Sequence, residues 1–288
     1  MQTVKQSIRV MLLAQLVATA LLCVSLFMVG QANQRATEVN TARYTSYLLA
    51  DELRQSSDDL TRLARTYVVS GNPMWEKQYF EVLDIRNGKL PRPNQYEKIY
   101  WDFRAAGTDP GRGVGETVPL QTLMKSAGFS EAEFAKLKEA QANSDDLVNT
   151  ETVAMNLVKG LRADANGKFT VQGEPDLEKA RQLMHDANYH LFKAKIMKPV
   201  DEFLILVDQR TAQDVDAALS MRNLWYAILV ASAILSALLA LAGLALFRAW
   251  LMRRLGAEPN DVKAAADAVR QGNLTVDLHV SPEGIPTA

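Results

Sequence analysis

Two stretches without a charged side chain constrain this chain more than any other feature: Val10 to Gln34 and Asn223 to Phe247. As helices, runs of 25 residues are ~37 Å long against a hydrocarbon core of ~30 Å. Both can therefore span a bilayer with some tilt, and the chain reads as a membrane protein. A cleavable signal peptide is the alternative for the first run, with Lys5 and Arg9 as its basic region and Gly30-Gln31-Ala32 as a small-x-small site. Its apolar length exceeds the ~7 to 15 residues usual there, so an uncleaved anchor is expected.

The flanks set the direction. Lys5 and Arg9 precede the first run and Arg248, Arg253 and Arg254 follow the second, so both termini read as cytoplasmic and the middle as extracytoplasmic. The expected layout is a cytoplasmic N-terminus over 1–9, a first transmembrane helix over 10–32, an extracytoplasmic domain over 33–222, a second transmembrane helix over 223–247 and a cytoplasmic tail over 248–288. Trp225, Tyr226 and Trp250 suit the two headgroup levels. Ser232, Ser236 and Ala240 give the second span one small face that admits a partner helix, although Ala and Ser are also ordinary in apolar helices.

The 32 Lys+Arg against 33 Asp+Glu leave a formal charge of −1, which provides no global field for nucleic acid. Cys23 is the only cysteine, so no intrachain disulfide can brace the extracytoplasmic domain and packing must hold it.

That domain carries helical patterns. Leu49, Leu53, Leu60, Leu63 and Tyr67 mark one face, which Gly71-Asn72-Pro73 ends. Ser130 and Glu133 form a capping box opening a helix through Phe134, Leu137, Leu147, Val148 and Leu157, expected to stop near Asn166-Gly167. A third helix begins around Pro175-Asp176 and runs into the second span, with a kink or break expected at Pro199. Since both ends of the domain meet the membrane, an upright bundle needs an even number of passes. Residues 74–129 must then supply a broken inward leg: a helix over 74–87, another over 94–106, a flexible Gly-rich loop from Gly107 to Gly115, and a short turn of helix before Gly128. The expected fold is all-α, two transmembrane helices flanking a distorted up-down-up-down four-helix sensor bundle.

Seven of the 21 aromatic residues fall between 75 and 103, a crowding that has two readings. Large rings can fill the core of a broken leg, or they can wall a pocket for a small molecule. On the second reading the ligand-binding residues are Arg62, Arg65, Tyr67, Trp75, Tyr79, Arg86, Tyr100 and Trp101, with a guanidinium holding a carboxylate on the ligand; Arg104 lies nearby in sequence. The plain alternative for Arg62 is an i,i+4 ion pair with Asp58. His185 and His190, five apart, fall on different sides of a helix, so no metal site is expected. Gly111, Gly113 and Gly115 match no phosphate-cradling motif, no nucleophile motif marks a Ser, Cys or Thr, and neither an enzymatic activity nor a cofactor is expected.

In the tail, Arg253-Arg254-Leu255-Gly256-Ala257-Glu258-Pro259 is followed by Val262, Ala265, Ala266 and Val269 at heptad-like spacing, then Gly272-Asn273-Leu274-Thr275-Val276. This resembles the first helix and connector of a HAMP domain, and the Leu-Gly-Ala-Glu-Pro stretch is similar to its entry in bacterial methyl-accepting chemotaxis receptors. Asn87-Gly88, Tyr100-Trp101-Asp102-Phe103 and Lys195-Ile196-Met197-Lys198-Pro199 look like the helical sensor of some of these receptors, a less specific match.

The resemblance implies a partial HAMP domain over 248–288, with Pro259, Val262, Val269, Gly272, Leu274 and Val276 in the signal relay. It also implies a homodimer in a bacterial inner membrane and a chemotaxis function, in which a small extracytoplasmic solute displaces a helix. The second HAMP helix and any signalling module are missing after Ser-Pro-Glu-Gly-Ile-Pro-Thr-Ala, so the chain is expected to be the front part of a longer receptor. A histidine kinase or diguanylate cyclase would use the same front end. From another class comes a membrane-anchored scaffold, whose aromatic leg would be fully packed.

Overall fold

Residues 4–255 and 259–272 are described by the computed structural model, and they are mostly helical. Helix α1, Val4–Ser70, ends where Gly71 turns to φ +66, a conformation that only glycine enters without strain. Asn72 then caps α2, Pro73–Arg86, accepting from the Met74 amide at 3.0 Å. Pro73 opens that helix, where its missing N–H would have no partner anyway.

Beyond α2 the expected helix over 94–106 shrinks to α3, Trp101–Ala105. Residues 92–94 are instead extended and pair with 113–116: Arg92 N donates to Glu116 O at 3.0 Å, Gly115 N to Arg92 O at 2.7 Å, and Asn94 N to Gly113 O at 3.3 Å. Pro91 and Pro93 hold the residues before them in extended backbone, and Gln95 takes φ +54, a left-handed conformation that a helix starting at 94 cannot contain. The Gly-rich segment is therefore half of a ladder at its 113–115 end, where a freely flexible loop was expected. A Cβ on Gly115 would lie 2.9 Å from Arg92 O, so this close approach needs glycine. Helix α4, Leu120–Ser126, is the short turn expected before Gly128.

The capping box forms at α5, Glu131–Ala142, but the helix stops well short of Asn166. After Asn143 and Ser144 comes α6, Asp145–Val158. A hairpin follows: β1, Leu161–Ala163, and β2, Phe169–Gln172, are antiparallel. Asn166-Gly167 is thus a hairpin turn where a helix stop was expected, with Gly167 at φ +77 and Asp164 Oδ1 accepting from the amides of Asn166 and Lys168.

Helix α7, Leu177–His185, is capped by Asp176, and α8 runs from Ala187–Leu255 with Pro199 inside it. The helical break falls at Asp186, whose carboxylate accepts from the Tyr189 amide at 2.8 Å. Pro199 does not break the helix because the Lys195 carbonyl, which it leaves without a donor, accepts from Asn143 Nδ2 at 3.2 Å. Helix α9, Pro259–Arg270, is followed by Gly272 at φ +87. Leu274 and Val276, and with them the connector of the expected relay, lie outside the described residues.

The chain forms two compact units, one of residues Thr37–Ala217 and the other of the described residues up to Ala36 and from Ala218 onward; the sequence boundaries were 33 and 222. Within the first unit α1 and α8 are antiparallel and carry two core layers. Ala50 packs with Leu120, Met124, Phe203 and Val207, whereas Leu63, Ala64 and Tyr67 pack with Tyr79, Met155, Met184 and Tyr189.

In the second unit α1 and α8 each contain a stretch long and apolar enough to cross a membrane. Large side chains there face outward, with Leu16 67% and Leu244 65% exposed. Small and hydroxyl-bearing residues face inward: Ser25 and Ser232 are buried with Oγ atoms 3.2 Å apart. Gln15 Nε2 donates to Ser236 Oγ at 2.8 Å, and Asn33 Nδ2 to Tyr226 OH at 3.0 Å. Two of the three small residues read from the sequence thus lie on the contact face, while Ala240 is exposed.

Candidate ligand-binding site

The eight residues expected to bind a ligand divide between core and ion pairs. Tyr67 and Tyr79 are buried, and Trp75 packs against the same core. Tyr100 and Trp101 meet edge to face at 5.1 Å, and the buried Trp101 donates from Nε1 to Tyr96 OH at 2.9 Å. Arg62 pairs with Asp59 at 2.9 Å, one turn before it; the Asp58 expected as its partner instead meets Arg54 and Lys193. Arg65 donates from Nε to Met184 O at 3.0 Å and lies over the Tyr189 ring. The Arg86 side chain makes no hydrogen bond or ion pair among the described residues, and burial holds its guanidinium below the ordinary range.

Around Tyr79 the sequence missed an acid. Glu151, on α6, is 3% exposed and accepts from Tyr79 OH at 2.7 Å and Tyr189 OH at 2.8 Å. Thr61 Oγ1 lies 3.3 Å from the Tyr189 hydroxyl and accepts from Lys193 Nζ at 3.2 Å. Burial raises the Glu151 pKa, against the two hydroxyls and the Lys193 and Arg65 charges; burial likewise raises both tyrosines. The cluster is closed and joins α1, α2, α6 and α8.

None of the eight lines any of the three described cavities. The largest, about 740 Å³, lies between α1 and α8 along Tyr44, Tyr47 and Ile205. Its charged groups are satisfied, Arg43 by Asp208 and Arg54 by Asp51 and Asp58, so nothing in it calls for a ligand.

The cavity of about 320 Å³ beside Arg92 is different; its volume lies at the lower end of the ~300–1,000 Å³ typical of small-molecule sites. Glu52 on α1 forms one wall, and the paired segments from Arg92 to Glu97 and Gly115 to Val118 form the other. Glu52 and Arg92, 9% and 14% exposed, form an ion pair through Nη1. Burial raises the Glu52 pKa, with Arg92 acting against it. Arg92 Nε and Nη2 are shielded from solvent and have no hydrogen-bond partner among the described residues. Among the described residues with such orphaned nitrogens, Arg104, Arg210 and Arg222 have one each and line none of the three cavities.

Tyr96 also lines the cavity, 6.0 Å from the Arg92 guanidinium. Arg92 and Glu52 escaped the sequence reading because they lie 40 residues apart and no motif marks either. The available signal was weak: an arginine between two prolines cannot sit in a helix interior.

Comparison of the chain with protein-family models, with curated proteins and with solved structures returns no match.

Proposed function

We propose that this protein is a transmembrane receptor. On this reading residues 37–217 are an extracytoplasmic solute sensor built as a distorted up-down-up-down four-helix bundle, and both termini are cytoplasmic in a bacterial inner membrane. The observation that carries the reading is the inverted packing of the apolar stretches of α1 and α8, with serines inside and leucines outside. That pattern suits lipid, where small and hydroxyl residues mediate helix contacts. Both helices continue without interruption from those stretches into the sensor unit, so a shift of one against the other is the natural output. The tail's resemblance to a HAMP domain supports chemotaxis as the output and a homodimer as the assembly, with α9 and Gly272 entering the relay.

A scaffold without a ligand gains support from the packed Trp101 and the Arg62–Asp59 pair. The cavity beside Arg92 favours the receptor.

Two measurements test the reading. A membrane-impermeant maleimide applied to intact cells should label a cysteine placed at Ser126 and spare one placed at Gln271, in a Cys23→Ser background. The full chain in lipid nanodiscs should then be melted against organic acids, amino acids, amines and purines. A solute at 100 times its Kd stabilises a fold by ~2.7 kcal/mol. Labelling of both positions overturns the topology, and no saturable hit moves the assignment to the scaffold.

A further inference from the structure

A buried carboxylate cannot leave its hydrogen bonding to water, so its neighbours must turn when it gains or loses a proton. Around Glu151 the two tyrosines are not equivalent in this respect. Tyr79 OH donates to Oε2 at 2.7 Å and has no other partner among the described residues. Tyr189 OH has two oxygens in reach, Glu151 Oε1 at 2.8 Å and Thr61 Oγ1 at 3.3 Å.

Each hydroxyl has one proton to give. With Glu151 ionised, both tyrosines point theirs at the carboxylate, and Tyr189 on α8 is bonded to α6. With a proton on Oε1 the carboxyl itself donates toward Tyr189, whose own proton must leave that line, and Thr61 Oγ1 on α1 is there to accept it. Tyr79 keeps its bond to Oε2 in both states. Protonation thus forms one O–H bond on Glu151 and turns one hydroxyl, so Tyr189 exchanges α6 for α1 as the element it donates to.

A connection to solvent exists on the Thr61 side. Thr61 Oγ1 donates to Ser57 O at 3.2 Å and accepts from Lys193 Nζ at 3.2 Å, and Lys193 meets the half-exposed Asp58 at 3.3 Å. Hydrogen-bonding groups therefore run from Asp58 at the surface to Oε1 of the buried acid.

The charges that face the carboxylate are Lys193 on α8 and Arg65 on α1, both favouring the ionised form, and burial outweighs them. From α2 come the Tyr79 hydroxyl and, facing it, the Arg86 guanidinium. Asp186 accepts from the Tyr189 amide, and the exposed His190 meets the edge of its ring. From α7 the same core receives Ala180, Leu183 and Met184. The change of state therefore falls at a higher pH than that of a free glutamate side chain.

We propose that Glu151 is a proton-sensing switch: a proton taken up from the extracytoplasmic side along Asp58, Lys193 and Thr61 turns the Tyr189 hydroxyl from Glu151 on α6 to Thr61 on α1. This rests on the reading of residues 37–217 as an extracytoplasmic sensor and gives that sensor a stimulus besides a solute. Tyr189 lies in the first turn of α8, so the switch acts where the long helix begins.

The test titrates the full chain in lipid nanodiscs from about pH 8 to about pH 4.5, the ordinary glutamate value, by infrared difference spectroscopy. A protonated-carboxyl C=O band should appear as the pH falls, and a tyrosine C–O band should shift with the same midpoint. Both changes should vanish in Glu151→Gln, whose amide donates to Tyr189 and accepts from Tyr79 as the protonated acid does. Lys193→Gln removes a cation facing the carboxylate and should move the midpoint up by about half a pH unit or more. Thr61→Val removes the acceptor to which Tyr189 turns and should move it down by a similar amount.

A carboxyl band that survives Glu151→Gln, a tyrosine signal that does not follow the band, or a midpoint unmoved in both other variants overturns the proposal. The maleimide test of topology is independent of this titration, so the two readings fail separately. With Ser126 labelled from outside and no titration of Glu151, the proton stimulus falls while the receptor reading stands. With Glu151 titrating and a cysteine at Ser126 out of reach, extracytoplasmic sensing falls and takes the proposal with it.

Discussion

Asn143 donates its side-chain amide to the Lys195 carbonyl at 3.2 Å, and Lys195 is the residue four before Pro199 in α8. One contact thus accounts for two departures from simple helical periodicity. The chain breaks between α5 and α6 at the residue whose side chain is needed elsewhere, and α8 passes through a proline without stopping. Asn143→Ala should cost about 1 kcal/mol, the usual worth of one such hydrogen bond. In a Pro199→Ala background residue 199 regains an N–H for Lys195, so the same change should cost close to nothing. Denaturant unfolding of the four variants in detergent measures this coupling. An equal cost in both backgrounds would show that Asn143 does not serve the orphaned carbonyl.

Ser25 and Ser232 place their hydroxyl oxygens 3.2 Å apart between two apolar helical stretches. Cysteines at both positions, with Cys23 replaced by Ser, should form an intrachain disulfide under mild oxidation and change the mobility of the monomer band. Cross-linked dimers without the intrachain product would place these serines at a contact between chains instead. Ser232→Leu should separate the helices and reduce the yield of folded protein from membranes.

Glu151 provides a pH signature. Its folded pKa is raised from the ordinary 4.5 by burial, so the folded state holds a proton that the unfolded state releases first. Stability from this group is therefore fully present below the unfolded pKa and is lost as pH rises through the folded one. The facing groups are Tyr79, Tyr189, Lys193 and Arg65. Glu151→Gln can still accept from one tyrosine and donate to the other, so it should fold and flatten the fall in melting temperature from about pH 4.5 toward neutrality. Glu151→Ala strands the buried Tyr79 hydroxyl at ~1–3 kcal/mol and leaves the Tyr189 hydroxyl only Thr61 Oγ1 at 3.3 Å, which should lower stability across the whole range. A glutamine variant with the wild-type pH profile would remove Glu151 as the source.

Much of the helical frame was legible because its punctuation is local. Gly71-Asn72-Pro73 ends one helix and caps the next, and Ser130 with Glu133 opens another, all within a few residues. What could not be read depends on partners distant in sequence. The Arg92–Gly115 ladder competes with a helix over 94–106, and the Asn143–Lys195 bond rescues Pro199. Asn166-Gly167 suited a helix stop and a hairpin turn equally well, and the ladder bonds of Arg162 and Val171 decide for the hairpin. At the site, aromatic density drew attention to Trp101 and Tyr79, whose size makes them core. The cavity took its charge from Glu52 and Arg92, which carry no pattern of their own.

Gly115 is the position where the cavity wall tolerates least. A Cβ there would approach Asn94 Oδ1 to 2.8 Å and Arg92 O to 2.9 Å; the asparagine side chain can swing away, but the carbonyl is backbone and belongs to the ladder. Gly115→Ala should therefore cost about 1–3 kcal/mol, as overpacking does, and push residues 92–94 away from 113–116. Hydrogen exchange should register this as faster exchange at the Arg92 and Gly115 amides, with the amides of α5 and α6 unchanged. Because Arg92 is carried on the displaced segment, its pairing with Glu52 should loosen as well, making the Glu52 carboxylate titrate differently by NMR. Gly111→Ala makes the control: it has φ +69 but open space at the Cβ, so it should be strained without moving the wall. If both alanines leave the Arg92 amide equally protected, the 92–94 and 113–116 pairing is not what holds the cavity open.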